Sequence, residues 1–137
     1  MENYKDMLRD KNLKVTKGRL AILELLNDSK VPMNAEQIYE ALDKEDVPSF
    51  TSLYRILKQL AEEGLLKKNL YSNALLYYES GQLGHRHFII CSECGKISSI
   101  KNCPLHEFDK AAAKETGYIV ENHNVELIGL CPDCQNK

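Results

Sequence analysis

Apolar residues in the first half of the chain recur at helical spacing. Residues 2–11 and 17–28 read as helices, the second with Ile22, Leu23, Leu25 and Leu26 forming one apolar stripe. Pro32 interrupts the pattern. Asn34 followed by Gln37 has the form of a capping box, opening a third helix whose buried face is Ile38, Ala41 and Leu42. After the turn Asp46-Val47-Pro48, Ser49 can cap a fourth helix running to about Glu63, with Leu53, Ile56, Leu57 and Leu60 inward and Gly64 as its stop. Thr51, Tyr54, Arg55 and Lys58 fall on the opposite side. Two strand-like runs follow, Leu65–Leu70 and Ala74–Glu79, joined by Tyr71-Ser72-Asn73. Helices followed by a two-stranded wing make a winged helix-turn-helix, and the outer face of its fourth helix carries the donors and cations that a major-groove reader needs. The same face also suits an ordinary solvated helix.

The pattern changes after Ser80-Gly81-Gln82-Leu83-Gly84, where two glycines loosen the backbone as in a hinge. Phe88–Cys91 and Lys96–Ile100 predict a hairpin around a Cys-x-x-Cys knuckle, and Leu105–Thr116 predicts a helix. Tyr118–Cys131 alternates in the manner of long strands with a turn near Asn122–Asn124. The expected fold class is therefore α+β: a winged helix-turn-helix over residues 1–80, a hinge at 81–84, and a small α/β dimerisation domain over 85–137.

Composition narrows the setting. A chain of 137 residues suits one domain or two small ones with thin cores. No run approaches the ~20 apolar residues that span a bilayer, and the first twenty residues lack the apolar segment of a signal peptide, so the cytoplasm is expected and a membrane partner is not. Net charge is −2 and divides evenly: residues 1–83 carry 12 Lys/Arg against 13 Asp/Glu, and residues 84–137 carry 6 against 7. Bulk charge thus does not mark a nucleic-acid binder. Local clusters at Lys11, Lys14, Lys17 and Arg19, and at Arg55, Lys58, Lys67 and Lys68, say more.

In a reducing compartment, five cysteines point to metal ligation or redox chemistry rather than disulfides. Cys91-Ser-Glu-Cys94 and Cys131-Pro-Asp-Cys134 are two knuckles whose four thiolates can close a tetrahedron around Zn²⁺. Such a closed site is structural, tying the C-terminal tail to the first hairpin of a domain too small to stand on its apolar core. A pair of thiol–disulfide motifs would need a βαβ setting, which neither knuckle has. Cys103 is the odd thiol. It could pair with His106 as a nucleophile, although no oxyanion-hole pattern accompanies it, or it could be a buried small residue or an extra metal ligand.

All four histidines, at 85, 87, 106 and 123, lie in the second half, and 85 and 87 share one face of a strand-like run. Together, His85-x-His87, Cys91-x-x-Cys94-Gly-Lys, Cys131-Pro-x-Cys134 and Ser52-Leu53-Tyr54-Arg55 make the chain similar to the ferric uptake regulator (Fur) superfamily over nearly its whole length. The resemblance implies a homodimeric, metal-activated, DNA-binding repressor rather than an enzyme. Tyr54 and Arg55 would then lie at the operator, with Lys14 near the DNA and Thr51, Ser52 and Lys58 on the same face. Carried over by position, it also implies one sensory site made of His85, His87, His106 and His123. Two of those positions, 87 and 106, commonly hold carboxylates in relatives. The family's inter-domain site looks depleted: Glu79 matches its acidic ligand, but Arg86 and Phe88 stand at histidine positions, Val31-Pro32 at a helix ligand and Ser99 at a later acidic ligand. Glu79 and Cys103 are kept as additional candidate ligands.

Four neutral imidazoles suit Zn²⁺, Ni²⁺, Co²⁺ or Cu²⁺ better than Fe²⁺. The segment Lys101-Asn102-Cys103-Pro104-Leu105 is similar to zinc-sensing (Zur) members, many of which have Cys-Pro here, so the expected ions are Zn²⁺ in the cysteine site and Zn²⁺ or another divalent transition metal in the sensory site. The expected function is a zinc-responsive repressor of metal-homeostasis genes on a palindromic double-stranded operator. The alternatives are a nickel-sensing or iron/peroxide-sensing regulator of the same family, and a zinc-binding storage or interaction protein that leaves Tyr54, Arg55 and Lys58 as plain surface.

Overall fold

The computed structural model of the chain describes residues 2–71, 73–83, 86–100, 103, 105–123 and 125–136. They form two compact units, residues 1–84 and 85–137.

In the first unit the helices are α1 (Glu2–Asp10), α2 (Lys17–Asp28), α3 (Ala35–Ala41) and α4 (Phe50–Glu62), with strands β1 (Met33–Asn34), β2 (Leu66–Leu70) and β3 (Leu76–Ser80). The starts of α2, α3 and α4 are explained locally. The Thr16 side chain accepts from the Arg19 N–H at 3.2 Å, and Ser49 accepts from the Ser52 N–H at 3.1 Å. Asn34 and Gln37 complete the reciprocal capping box, both bonds at 2.9 Å. The stripes of these helices converge on one core, in which Leu8, Ile22, Leu23, Leu26, Ile38, Leu53, Leu57 and Leu60 are fully buried. Gly18 sits where α2 meets the loop before α4: a Cβ there would lie 2.9 Å from the Asp46 carbonyl oxygen.

The wing differs from the expected two strands. The sheet has order β1-β3-β2, all antiparallel, because Met33 and Asn34 pair with Tyr78 and Tyr77. Two residues next to Pro32 carry too little alternation to be read as a strand. Of the turn expected at residues 71–73, Ser72 lies outside the described residues. The 81–84 segment expected as a hinge is bonded to the first unit as far as Leu83. Gly81 N–H donates to the Leu65 carbonyl at 2.9 Å, and Lys67 Nζ donates to the Leu83 carbonyl at 3.2 Å. Gly84 is outside the described residues.

The second unit contains β4 (His87–Cys91), β5 (Ile97–Ile100), α5 (His106–Thr116), β6 (Glu126–Gly129) and the short helix α6 (Pro132–Gln135). The sheet order is β5-β4-β6, with β4 antiparallel to β5 and parallel to β6. The long strands expected over Tyr118–Cys131 are corrected: among the described residues only Glu126–Gly129 is strand. A strand needs a neighbour to bond. Residues 126–129 find β4, whereas Tyr118 and Ile119 stand 77% and 90% exposed with no neighbouring strand. The short α6 was also not anticipated, although Pro at its first position is a common helix start.

Candidate metal centres

The parallel β4–β6 register explains the first centre. It sets Cys91 opposite Gly129, and the Ser92 N–H donates to the Gly129 carbonyl at 2.8 Å, so the chain arrives at Cys131 beside Cys91. The β4–β5 knuckle supplies Cys94, and the first turn of α6 supplies Cys134. The four sulfurs lie within 4.8 Å of one another. Cys94 and Cys131 are 3.7 Å apart, close to the edge of about 3.8 Å for a tetrahedron with Zn–S bonds of about 2.3 Å. The backbone also prepares the site. N–H groups of Cys94 and Cys131 point at Cys91 and lower its thiol to about 6, with the Cys131 N–H at 3.4 Å from the sulfur. Hydrogen bonding of the Cys134 thiol to Cys131, together with burial, holds its pKa well above the usual thiol range. Four thiols at this spacing form a donor set that fits Zn²⁺.

The second centre joins two of the expected histidines, His87 and His123, to Cys103, kept above as an additional candidate ligand. His87 Nε2 and His123 Nε2 are 2.9 Å apart, and Cys103 Sγ lies 3.3 Å from the first and 3.4 Å from the second. Three elements meet here: buried His87 opens β4, half-buried Cys103 lies between β5 and α5, and half-buried His123 lies between α5 and β6. Two ring nitrogens and a sulfur at these separations form one face of a small coordination polyhedron, so this donor set also fits a divalent ion. His123 Nδ1 meets the Asp109 carboxylate at 2.6 Å, which leaves Nε2 as the donor facing Cys103 and His87.

Of the other expected ligands, His106 and Glu79 lie outside this cluster. His106 begins α5 with an exposed side chain and belongs to neither donor group, because α5 presents Asp109, three residues further on, to His123. His85 lies outside the described residues, as do Lys101, Asn102 and Pro104 of the Cys103 segment. Glu79 is buried in β3 of the first unit. Asp109 was missed. An acidic residue in the first turn of a helix is common for the helix dipole alone, so nothing in the sequence marked it.

In the first unit, α4 carries Thr51, Tyr54, Arg55 and Lys58 exposed, with Ser52 half-buried and bonded from Ser49 Oγ at 2.9 Å. Lys14 is exposed in the loop before α2. Arg19, expected only as a member of the basic cluster near the start of the chain, ties that loop to α4: its guanidinium donates to the Lys14 carbonyl and to Gln59 Oε1, both at 2.6 Å. Phe50, at the first position of α4, was also missed. No described helix is long and apolar enough to cross a membrane.

The chain is similar to known proteins over nearly its whole length. The chain is 31% identical over its whole length to the ferric uptake regulation protein of Neisseria meningitidis, covering 98% of that protein. It is 34% identical to the peroxide operon regulator of Bacillus subtilis, covering 96% of this chain and 91% of that one. Among solved structures, the Helicobacter pylori ferric uptake regulator, described as having three functional metal-binding sites, superposes with a TM-score of 0.83 at 25% identity over 98% of this chain and 90% of that one. Members of this family are metal-dependent DNA-binding transcription regulators and not enzymes. Residues 10–128 match the model of the ferric uptake regulator family, and the chain belongs to that family.

Proposed function

We propose that this regulator is a zinc-responsive transcriptional repressor in which His87, Cys103 and His123 form the sensory site and the four cysteines hold structural zinc. The supporting observation is the donor set itself. A thiol placed against two Nε2 atoms is a softer set than the imidazole–carboxylate mixtures that suit Fe²⁺, and it favours Zn²⁺. His106 and Glu79, expected as ligands from the resemblance, take no part in this three-residue core; His85, outside the described residues, stays in the proposal as the candidate for a fourth position.

A bound ion would supply one positive centre satisfying all three donors at once. The two Nε2 atoms, 2.9 Å apart, are close enough for one ion to engage both. His87 lies three positions beyond Gly84, so fixing its ring restrains the chain that links the two units. The restraint favours the pose in which two copies place α4 in successive major grooves of a palindromic operator, about one helical turn apart. Thr51, Ser52, Tyr54, Arg55 and Lys58 meet that groove, and Lys14 meets the phosphates. The second copy is expected to cover the exposed apolar run Tyr118, Ile119, Val120, Leu127 and Ile128. The regulated genes would be those of metal homeostasis, and the setting the cytoplasm.

The names of the relatives favour a second reading, iron or peroxide sensing. A gel-shift series against selected operators, in buffered Zn²⁺, Ni²⁺, Fe²⁺ and Mn²⁺, separates the two. Zinc sensing requires operator binding half-saturated at the lowest free Zn²⁺ and insensitive to peroxide. Equal binding with and without metal would refute both, and loss of operator binding in Arg55→Ala with metal content intact separates a repressor from a zinc-storage protein.

A further inference from the structure

The fourth helix shows a feature that the charged residues do not explain. Phe50 stands 39% exposed at its first helical position, and Tyr54, one turn on, is 47% exposed. An apolar ring left partly in water forgoes the stabilisation that burial would give. It is held outward instead. The Phe50 ring packs edge-on to Tyr39 of α3 at 5.6 Å between centroids and tilted against Tyr54 at 5.9 Å, so three rings form a continuous row. Lys44 Nζ closes the far end, 3.2 Å from the Tyr39 ring centroid, and also donates to the Tyr39 carbonyl at 2.9 Å. Phe50 therefore has a fixed position at low further entropic cost.

We infer that Phe50 reads the 5-methyl group of one thymine in each operator half-site, adding an apolar specificity contact to the polar ones of Tyr54 and Arg55; the inference rests on the DNA-binding reading above. Three observations carry it. Residues at the start of a recognition helix are those that reach base edges. Residues at 50, 54 and 58 succeed each other at i, i+4 and i+8, so Phe50 begins the stripe that continues through Tyr54 to Lys58. The thymine methyl is the one apolar feature the major groove offers, and phenyl rings are among its partners. A protein partner docking on the same ring row would be indifferent to base identity.

The test uses the full-length, zinc-loaded protein. Duplexes are selected from a random pool by the wild type, Phe50→Ala and Tyr54→Ala, and affinities are then measured on the selected operator with single thymine-to-uracil replacements. Uracil at one position of one half-site should weaken the wild type about fourfold, the factor equivalent to about 0.8 kcal/mol for one methyl kept from water. The same replacement should leave Phe50→Ala unchanged while still weakening Tyr54→Ala, and the Phe50→Ala pool should lose one thymine preference and keep the others. Zinc content and thermal midpoint equal to wild type show that the variant is folded; if Phe50→Ala unfolds, Phe50→Leu must show a reduced uracil penalty at that same position. A uracil penalty that persists at every position in the Phe50 variants overturns the inference while leaving the repressor reading intact. Failure of the wild type to select any duplex with zinc overturns both.

Discussion

At the scale of single residues, the proposed sensory centre would depend on Asp109 as much as on its donors. The carboxylate fixes His123 by Nδ1, and a ring free to rotate presents Nε2 only part of the time. Asp109→Ala is therefore expected to weaken this site about 10- to 100-fold, measured by competition with a chromophoric chelator, while the zinc bound by the four cysteines stays at one per chain. Cys103 and His106 give opposite expectations. In cobalt-substituted protein, Cys103→Ser should remove the thiolate-to-metal charge-transfer absorption of the sensory site, and His106→Ala should leave it. If the histidine variant loses the band, the three-residue core is wrong. The sequence made Cys103 visible as an unpaired thiol, but spacing could not choose between it and His106. The choice is made by which residues between β5 and β6 face His87.

At the scale of elements, α2 and α4 are locked together by close approach rather than by side-chain bulk. Gly18 lets the start of α2 come against the Asp46 carbonyl, and Arg19 beside it bonds to Gln59 of α4. Gly18→Ala should destabilise the first unit by about 1–3 kcal/mol in denaturant titration, since the new methyl would have to displace backbone. A neutral result would mean that the loop before α4 yields freely. Local capping chemistry and apolar stripes made these four helices readable in advance. The β1 strand and the exposed 118–122 segment were not readable, because strand formation depends on a partner that the local pattern does not name.

At the scale of the whole molecule, the two units are stabilised differently. The large apolar cluster lies entirely in the first, whereas the buried apolar side chains of the second are Phe88, Ile90 and Cys91 among the described residues. Chelating the four-cysteine zinc, or replacing Cys94 by Ser, should melt the second unit and leave the first folded, seen as loss of the 86–136 amide resonances while those of residues 2–71 persist. The two centres should also part on acidification. Imidazoles must be neutral to ligate, so the sensory metal is expected to leave first on acidification. The Cys91 thiolate is favoured down to about 6, so protons compete for that sulfur only below this, and the four-thiol zinc should leave at lower pH. The raised Cys134 works the other way: its proton must be displaced by the metal, so affinity of that site keeps rising with pH above neutrality. A zinc-release titration from pH 8 to 5 with one step instead of two would contradict the assignment of two centres.

The sequence by itself determined the helical stripes and their caps, the pairing of two cysteine knuckles, and the motifs that place the chain in its family. Each of these is a short-range pattern, set by dihedral preference, side-chain period or ligand spacing. Tertiary structure alone decided that β6 runs parallel to β4, which brings Cys131 to Cys91. It also decided that His87, Cys103 and His123 converge with Asp109 behind them, and that Phe50 is held outward by Tyr39. Those are contacts between segments far apart in the chain. Their geometry follows from strand register and helix packing, which no local spacing encodes.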